Sequence, residues 1–217
     1  MIEQSFIDIR GFQSQDKEDV RRISYETAFL GNPASVFFDD AGILKDALTL
    51  YFTDYEPESS FVAVKDSKVI GYIIGAKDVS REKRIFMFKI LPELLIKSIK
   101  RGTFLKKKAR TFLLRCILSF LKGEFFVPDF SREYPATLHI NVDKDFRGLH
   151  IGEKLLDYYL DYLKENNIPG VHLSTTSHDA KAFFEKTGFK ELFKRRRTYL
   201  RSLLDKDVYY YLLGLIL

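Results

Sequence analysis

Three stretches of this chain predict a mixed α/β fold with a parallel pair of strands inside its sheet. Residues 60–75, SFVAVKDSKVIGYIIG, are two apolar runs separated by Asp66-Ser67, a hairpin signal. Residues 136–142 alternate like a strand and pass through Gly148 and Gly152 into an amphipathic run at 151–166, with another strand at 171–176. A strand–helix–strand order of that length calls for a crossover between parallel neighbours. A last helical pattern, 179–187, is closed by Gly188 and leads to two more strands, about 189–200 and 207–217.

The elements before and between these follow from local chemistry. FIDIRGF (6–12) alternates as a strand, and SQDKEDVRRISYETAFL is amphipathic, with Ser14 or Asp16 as its cap and Gly31 as its stop. A second helix is expected from Asp40 to about Tyr55, ahead of Pro57. From 79 to 133 the style changes. Pro92 starts and Gly102 stops the helical pattern LPELLIKSIKR, and Thr103 is placed to cap a further helix that ends at Gly123. In that helix Leu105, Ala109, Phe112, Leu113, Cys116, Ile117, Phe120 and Leu121 form one apolar stripe, with Lys106, Lys107, Lys108 and Arg110 mostly off it. The expectation is one domain over 1–217 with a helical insertion at about 79–133.

The composition, 46% hydrophobic and 15% aromatic over 217 residues, supports a sizeable core and excludes a disordered chain. The lone Cys116 excludes an internal disulfide and a thiolate cluster, and fits a reducing cytosol. MIEQSFIDIR carries an early acid and no apolar core, so no secretory leader is expected. No apolar run approaches the ~20 residues that span a bilayer. A cytoplasmic location is the expectation. Charge is unevenly placed: residues 81–122 hold 13 Lys or Arg against two Glu, a local +11 in a chain of net +5, so the remainder carries −6.

A strand that feeds through glycines into a helix presents unpaired N–H groups at the positive end of the helix dipole, which suits a phosphate or pyrophosphate. The same pattern also fits an ordinary tight turn. Arg147 either contacts the phosphates or anchors that turn.

The run Arg147-Gly148-Leu149-His150-Ile151-Gly152 resembles the Gln/Arg-x-x-Gly-x-Gly/Ala signature of the GNAT superfamily, the acetyl-CoA-dependent N-acetyltransferases. The likeness continues in order with IGYIIG as a third strand, LHINV as a fourth, VHLSTT as a fifth, and AKAFFEKTGFKEL as the last helix and sixth strand. YPATLHINV and PGVHLSTTS look especially like the acetyltransferase-like domains related to bacterial O-GlcNAcase. The resemblance implies a mixed central sheet whose fourth and fifth strands splay apart to admit acetyl-CoA. It implies a pyrophosphate on the N–H groups of Gly148, Leu149, His150, Ile151, Gly152 and Glu153, and a pantetheine arm along the backbone of Ile140 and Val142. An N–H near Val142 would polarise the thioester carbonyl. Two positions depart from the family pattern: His150 replaces the middle glycine, and Phe184 stands where a tyrosine often protonates the leaving thiolate.

On 136–142 the apolar residues alternate with Thr137, His139 and Asn141, although a central strand covered on both faces should be apolar throughout. A polar face there suggests a water-filled cleft for the acceptor, with His139 as a candidate general base and Asn141 beside it; the alternative is a histidine satisfied in a semi-polar core. His172 and Ser174 on the adjacent strand take the same two readings. Ser177 is placed to cap the last helix or to touch the cofactor. Asp54 and Glu56 (with Glu58) lie where the resemblance brings acceptors, as holders of a cationic amine or as solvated loop carboxylates. Four scattered histidines offer no metal-ligand pair, so no metal is expected.

The basic insertion takes three readings. It is a lid whose stripe packs on the body, a surface steering an acidic acceptor, partner or nucleic acid, or a pair of Lys-rich amphipathic helices lying on anionic membrane. No nucleic-acid motif accompanies the charge. The reading preferred overall is acetyl transfer from acetyl-CoA to a primary amine of a small molecule or peptide, by direct attack in a ternary complex. Its rivals are an acyl-CoA-binding module without catalysis and an interaction protein using the basic helices. The apolar final strand would also suit pairing in a homodimer.

Overall fold

The computed structural model describes residues 7–201 and 208–217. Phe6 and Asp207, the outer ends of two expected strands, and the start of MIEQSFIDIR lie outside it. The strands are β1 Asp8–Gly11, β2 Ser60–Lys65, β3 Lys68–Ala76, β4 Ala136–Val142, β5 Gly170–Thr175, β6 Lys190–Arg197 and β7 Val208–Ile216. They form one sheet in the order β1-β2-β3-β4-β5-β7-β6. Every neighbouring pair is antiparallel except β4 and β5, which are parallel. The β2–β3 hairpin turns at Asp66 and Ser67, both at positive φ (50° and 62°), the backbone that matches the twist of a two-residue turn.

Helices cover both faces. α1 Lys17–Thr27 and α2 Ala41–Asp54 pack on one side with Val62, Tyr72 and Ile74. On the other, α6 Ile151–Glu165 buries Ile151, Leu155, Leu156, Tyr159 and Leu163 against Leu138 and Val171, and α7 His178–Lys186 adds Phe184. Asp16 does not cap α1. It closes a short 3-10 turn ahead of it, accepting from the Gln13 N–H at 2.8 Å and pairing with Arg10 at 2.7 and 2.9 Å.

The insertion departs from expectation in two ways. Pro92 lies in the first turn of α4 Leu91–Lys100, as expected, but that helix does not begin afresh: α3 Val79–Ile85 runs through a π turn, Phe86–Ile90, into it without a break. Proline lacks the N–H that would bond back one turn, and its ring crowds the carbonyl four residues earlier. The Leu91 N–H reaches back to the Phe86 carbonyl, so the chain widens ahead of the proline instead of stopping. Thr103 does not cap α5 Lys107–Leu121 either; its hydroxyl donates to Asp40 at 2.7 Å.

The apolar stripe of α5 also divides. Ala109 is buried, and Phe112 packs on Phe37, Phe38 and Tyr199, but Leu105, Leu113, Ile117, Phe120 and Leu121 are exposed. Periodicity identified a stripe without fixing how much of its width the body would cover. At one end the insertion is moored to the α1–α2 connection and to α2, by Lys108 to Asp39 (3.1 Å), Arg101 to Asp40 (3.0 Å) and Lys97 to Asp46 (3.1 Å). At the other, Glu124 accepts from the Thr198 N–H and hydroxyl, both at 2.7 Å, and Arg195 donates to the Gly123 carbonyl at 2.6 Å. α5 therefore straps the helical side of the β1–β4 half-sheet to the edge strand of the other half.

Candidate active site

The site begins where β4 and β5 part. Their register contains only Ala136 opposite Val171 and Thr137 opposite His172, although β4 continues to Val142. On its other edge β4 is paired with β3 along nearly its whole length, from Thr137 to Val142. The Asp143 N–H donates to the Ile70 carbonyl at 2.8 Å, which sets the antiparallel alternation. Odd-numbered residues of β4 bond to β3, while Ile140 and Val142 turn their N–H and C=O groups toward the side β5 has left.

Past the gap, a 3-10 turn (Lys144–Phe146) leads through Gly148 at φ +80° to His150 at φ +57°, where α6 starts with no side-chain cap. The N–H groups of Ile151, Gly152 and Glu153 open the helix without intrahelical acceptors. A Cβ placed on Gly148 would meet nothing within 4 Å, and one on Gly152 only the Phe183 ring edge at 3.7 Å. The amide cradle is thus open on its outer side. Leu149 is exposed beside it. His150 carries an energetically unfavourable left-handed backbone and turns its Nδ1 to Glu153 at 2.7 Å. Arg147 anchors the turn: its Nε donates to the Val142 carbonyl at 3.4 Å, and its guanidinium reaches Gly31. Asp143, which sequence reasoning passed over, pairs with Arg22 of α1 at 3.0 Å and ties the end of β4 to that helix. Nothing local in the sequence linked residues so far apart.

Thr137, His139, Asn141, His172 and Ser174 share one face, as parallel pairing requires. His139 and Ser174 are exposed although both strands are interior to the sheet, so a cleft opens on the α1–α2 side. His139 stands edge-on to Phe52 at 5.4 Å. Protein packed against one side of the ring, with a smaller push from His172, lowers its imidazole below the ordinary value, so it is neutral at physiological pH. Asn141 donates to the Tyr72 hydroxyl at 2.7 Å. His172 is held by the Tyr134 carbonyl at 2.7 Å, which fixes the proton on its Nδ1.

The other candidates have structural partners. Ser177 caps α7, accepting from the Ala180 N–H at 3.2 Å. Phe184 is buried between Phe183 and Phe189. Asp54 pairs with Lys17 at 2.7 Å. Glu56 is not a loop carboxylate awaiting an acceptor. It is buried and accepts from Tyr51 (2.7 Å), Ser59 (2.7 Å) and the Lys77 N–H (2.8 Å). Glu82 on α3 was not legible beforehand: burial, opposed by Lys83 and aided by Glu56, raises it to about 7. Among the described residues no group of three His, Cys, Asp or Glu is placed to hold a metal. Two surface depressions, about 370 and 440 Å³, flank α5 and not the β4–β5 gap.

A sheet opened between two parallel interior strands, with an uncapped helix start after a glycine turn at the end of one of them, is the arrangement that the resemblance to the GNAT superfamily implies. Comparison with known proteins agrees. Residues 120–191 match the acetyltransferase (GNAT) domain. SsHAT is 25% identical in its crystal structure, with a TM-score of 0.70 over 97% of this chain and 98% of that one. The Drosophila melanogaster polyamine N-acetyltransferase is 13% identical, with a TM-score of 0.60 over 98% of this chain and 100% of that one. The structure of yncA from Salmonella typhimurium with its cofactor acetyl-CoA is 12% identical, with a TM-score of 0.58 over 97% and 93%. The chain therefore carries a GNAT acetyltransferase domain match over residues 120–191 and shares the fold of GNAT acetyltransferases over nearly its whole length.

Proposed function

We propose that the chain, as one cytoplasmic domain, transfers acetyl from acetyl-CoA to a primary amine of a small-molecule or peptide acceptor, by direct attack in a ternary complex. The observation that carries this is the β4–β5 gap, lined by the outward N–H and C=O groups of Ile140 and Val142 and ending at the uncapped start of α6. Bound acetyl-CoA supplies an activated acyl carbon. The amides of 148–153 hold its diphosphate at the helix dipole. The backbone of Ile140 and Val142 receives its amide arm, and the Val142 N–H polarises the acyl carbonyl. On the cleft side Asn141, held by Tyr72, helps to orient the amine. His139, already neutral, takes the amine proton, directly or through one water, once the nitrogen lone pair is committed; the C–S bond then breaks and CoA leaves as thiolate, which takes its proton from water.

Phe184 favours a second reading. A buried phenylalanine donates no proton, so a chain that binds acetyl-CoA without turning it over is the rival. Calorimetry with acetyl-CoA and with CoA tests the site, and thiol release across a panel of small amines and peptide termini tests the reaction. Binding with sustained thiol release supports transfer. Binding without it leaves the coenzyme-binding module, and failure of both ligands to bind sinks the site.

A further inference from the structure

We propose that α4 and α5 form a docking surface for anionic membrane, on which the protein lies peripherally. Among the described residues, fourteen of the eighteen exposed large hydrophobic residues fall between Met87 and Phe126, a stretch that also holds ten Lys or Arg against Glu93 and Glu124, a local +8. On α5 the buried side is Ala109, Phe112 and Ser119, and the side turned away from the body holds Leu113, Leu114, Ile117, Leu118 and Leu121. Helical spacing places Lys107 and Arg110 on that outer face, with Arg115 and Lys122 on its flank. α4, joined through a left-handed turn at Gly102 (φ +63°), adds Leu95, Ile96 and Ile99.

Charge complementarity decides the occupant. A second copy would set one cationic face, +8 by sequence, against another, and the two acids of the stretch offer no counter-patch: Glu93 is paired with Lys97 and Glu124 is buried against Thr198. A nucleic acid would meet the cations and find Phe88, Phe120, Phe125 and Phe126 for stacking, but ten of the fourteen exposed residues are aliphatic or methionine and give bases nothing to stack on. An anionic bilayer meets both demands. Aliphatic side chains enter the acyl boundary while Lys and Arg stems reach the headgroup phosphates. The depression between α5 and the end of β6, lined by Arg115, Lys122 and Thr198, is suited to such a headgroup. No described helix is long and apolar enough to cross a membrane, so the contact is interfacial. The inference stands apart from acetyl transfer, because neither helix supplies a residue to the β4–β5 gap.

The test is co-sedimentation of the full chain with vesicles of phosphatidylcholine alone and of equimolar phosphatidylcholine and phosphatidylglycerol. Binding is expected only to the mixed vesicles and should fall steeply with added salt. Lys107→Gln with Arg110→Gln weakens it roughly 25-fold, at about fivefold per cation. The triple variant Leu114→Ser, Ile117→Ser, Leu121→Ser, at unchanged charge, weakens it by more than about tenfold, with circular dichroism melts matching the parent. Equal binding to both vesicle types, or none to the mixed vesicles at low salt, overturns the proposal. So does a dimer seen by light scattering that the triple variant dissolves, since a second copy would then cover the face.

Discussion

Gly152→Asp separates the stability of the cradle from its affinity, because the two should move in opposite directions. The residue is second in α6, and a Cβ there meets only the Phe183 ring edge at an ordinary 3.7 Å, so the folded chain accepts the side chain. A carboxylate in the first turn interacts favourably with the helix dipole, by about 0.3–1 kcal/mol, which raises Tm by roughly 1–4 °C at this chain length. The same carboxylate faces the diphosphate. One pair of unit charges about 4 Å apart repels by about 1 kcal/mol in water and about 4 kcal/mol at the dielectric of a protein surface. Two phosphate charges at the weaker limit give about 2 kcal/mol, close to a 30-fold loss of affinity. Differential scanning fluorimetry reads the first effect and calorimetry with CoA the second. A variant that melts at or above the parent temperature and binds CoA within twofold of it would refute the phosphate site.

His150→Gly should stabilise the protein by about 1 kcal/mol, since glycine adopts the left-handed turn without the side-chain penalty; a lower melting temperature would mean that the exposed contact to Glu153 outweighs the strain. Asp143→Asn should cost about 1–3 kcal/mol by leaving Arg22 without its buried partner. Burial alone would raise the Asp143 carboxyl, but the Arg22 and Asp145 hydrogen bonds outweigh it and hold it below the ordinary value. Its stabilisation is therefore present above the unfolded carboxylate pKa and lost as pH falls through the folded one, so urea titrations of the Asn variant should show a shallower acid limb. His139→Gln should lower kcat about a hundredfold or more with CoA affinity unchanged. In the parent, the His139 limb of the rate profile should lie below the ordinary 6.5, and an unchanged kcat would remove His139 from the reaction.

Much of the site was written locally. The bounds of β4 follow from its alternation, and those of α6 from glycines ahead of an apolar face, so the strand–turn–helix was legible before any coordinates. The polar face of β4 was legible too, because Thr137, His139 and Asn141 break a rule that interior strands obey. What failed depended on long-range partners. Glu56 read as a loop acid because nothing nearby announces that Tyr51, Ser59 and Lys77 close around it. Pro92 does stand in the first turn of α4, but the join to α3 was missed because a π turn leaves no pattern in residue spacing. The stripe on α5 was real, but which part of it touches the body is fixed by Phe37, Phe38 and Tyr199, remote in sequence.

The short register of β4 against β5 also has a mechanical meaning. Between a four-stranded and a three-stranded plate, the hydrogen-bonded joint is two residues long, and the remaining connection is the apolar layer under α6 and the strap of α5. Whatever fills the slot beyond that joint acts as a splint. Occupancy should then be readable as rigidity, in slower proteolysis and in melting curves that climb with ligand concentration, without knowledge of the acceptor or of whether turnover occurs. A chain that offers its weakest seam to its co-substrate can be screened by heat before it is assayed by chemistry.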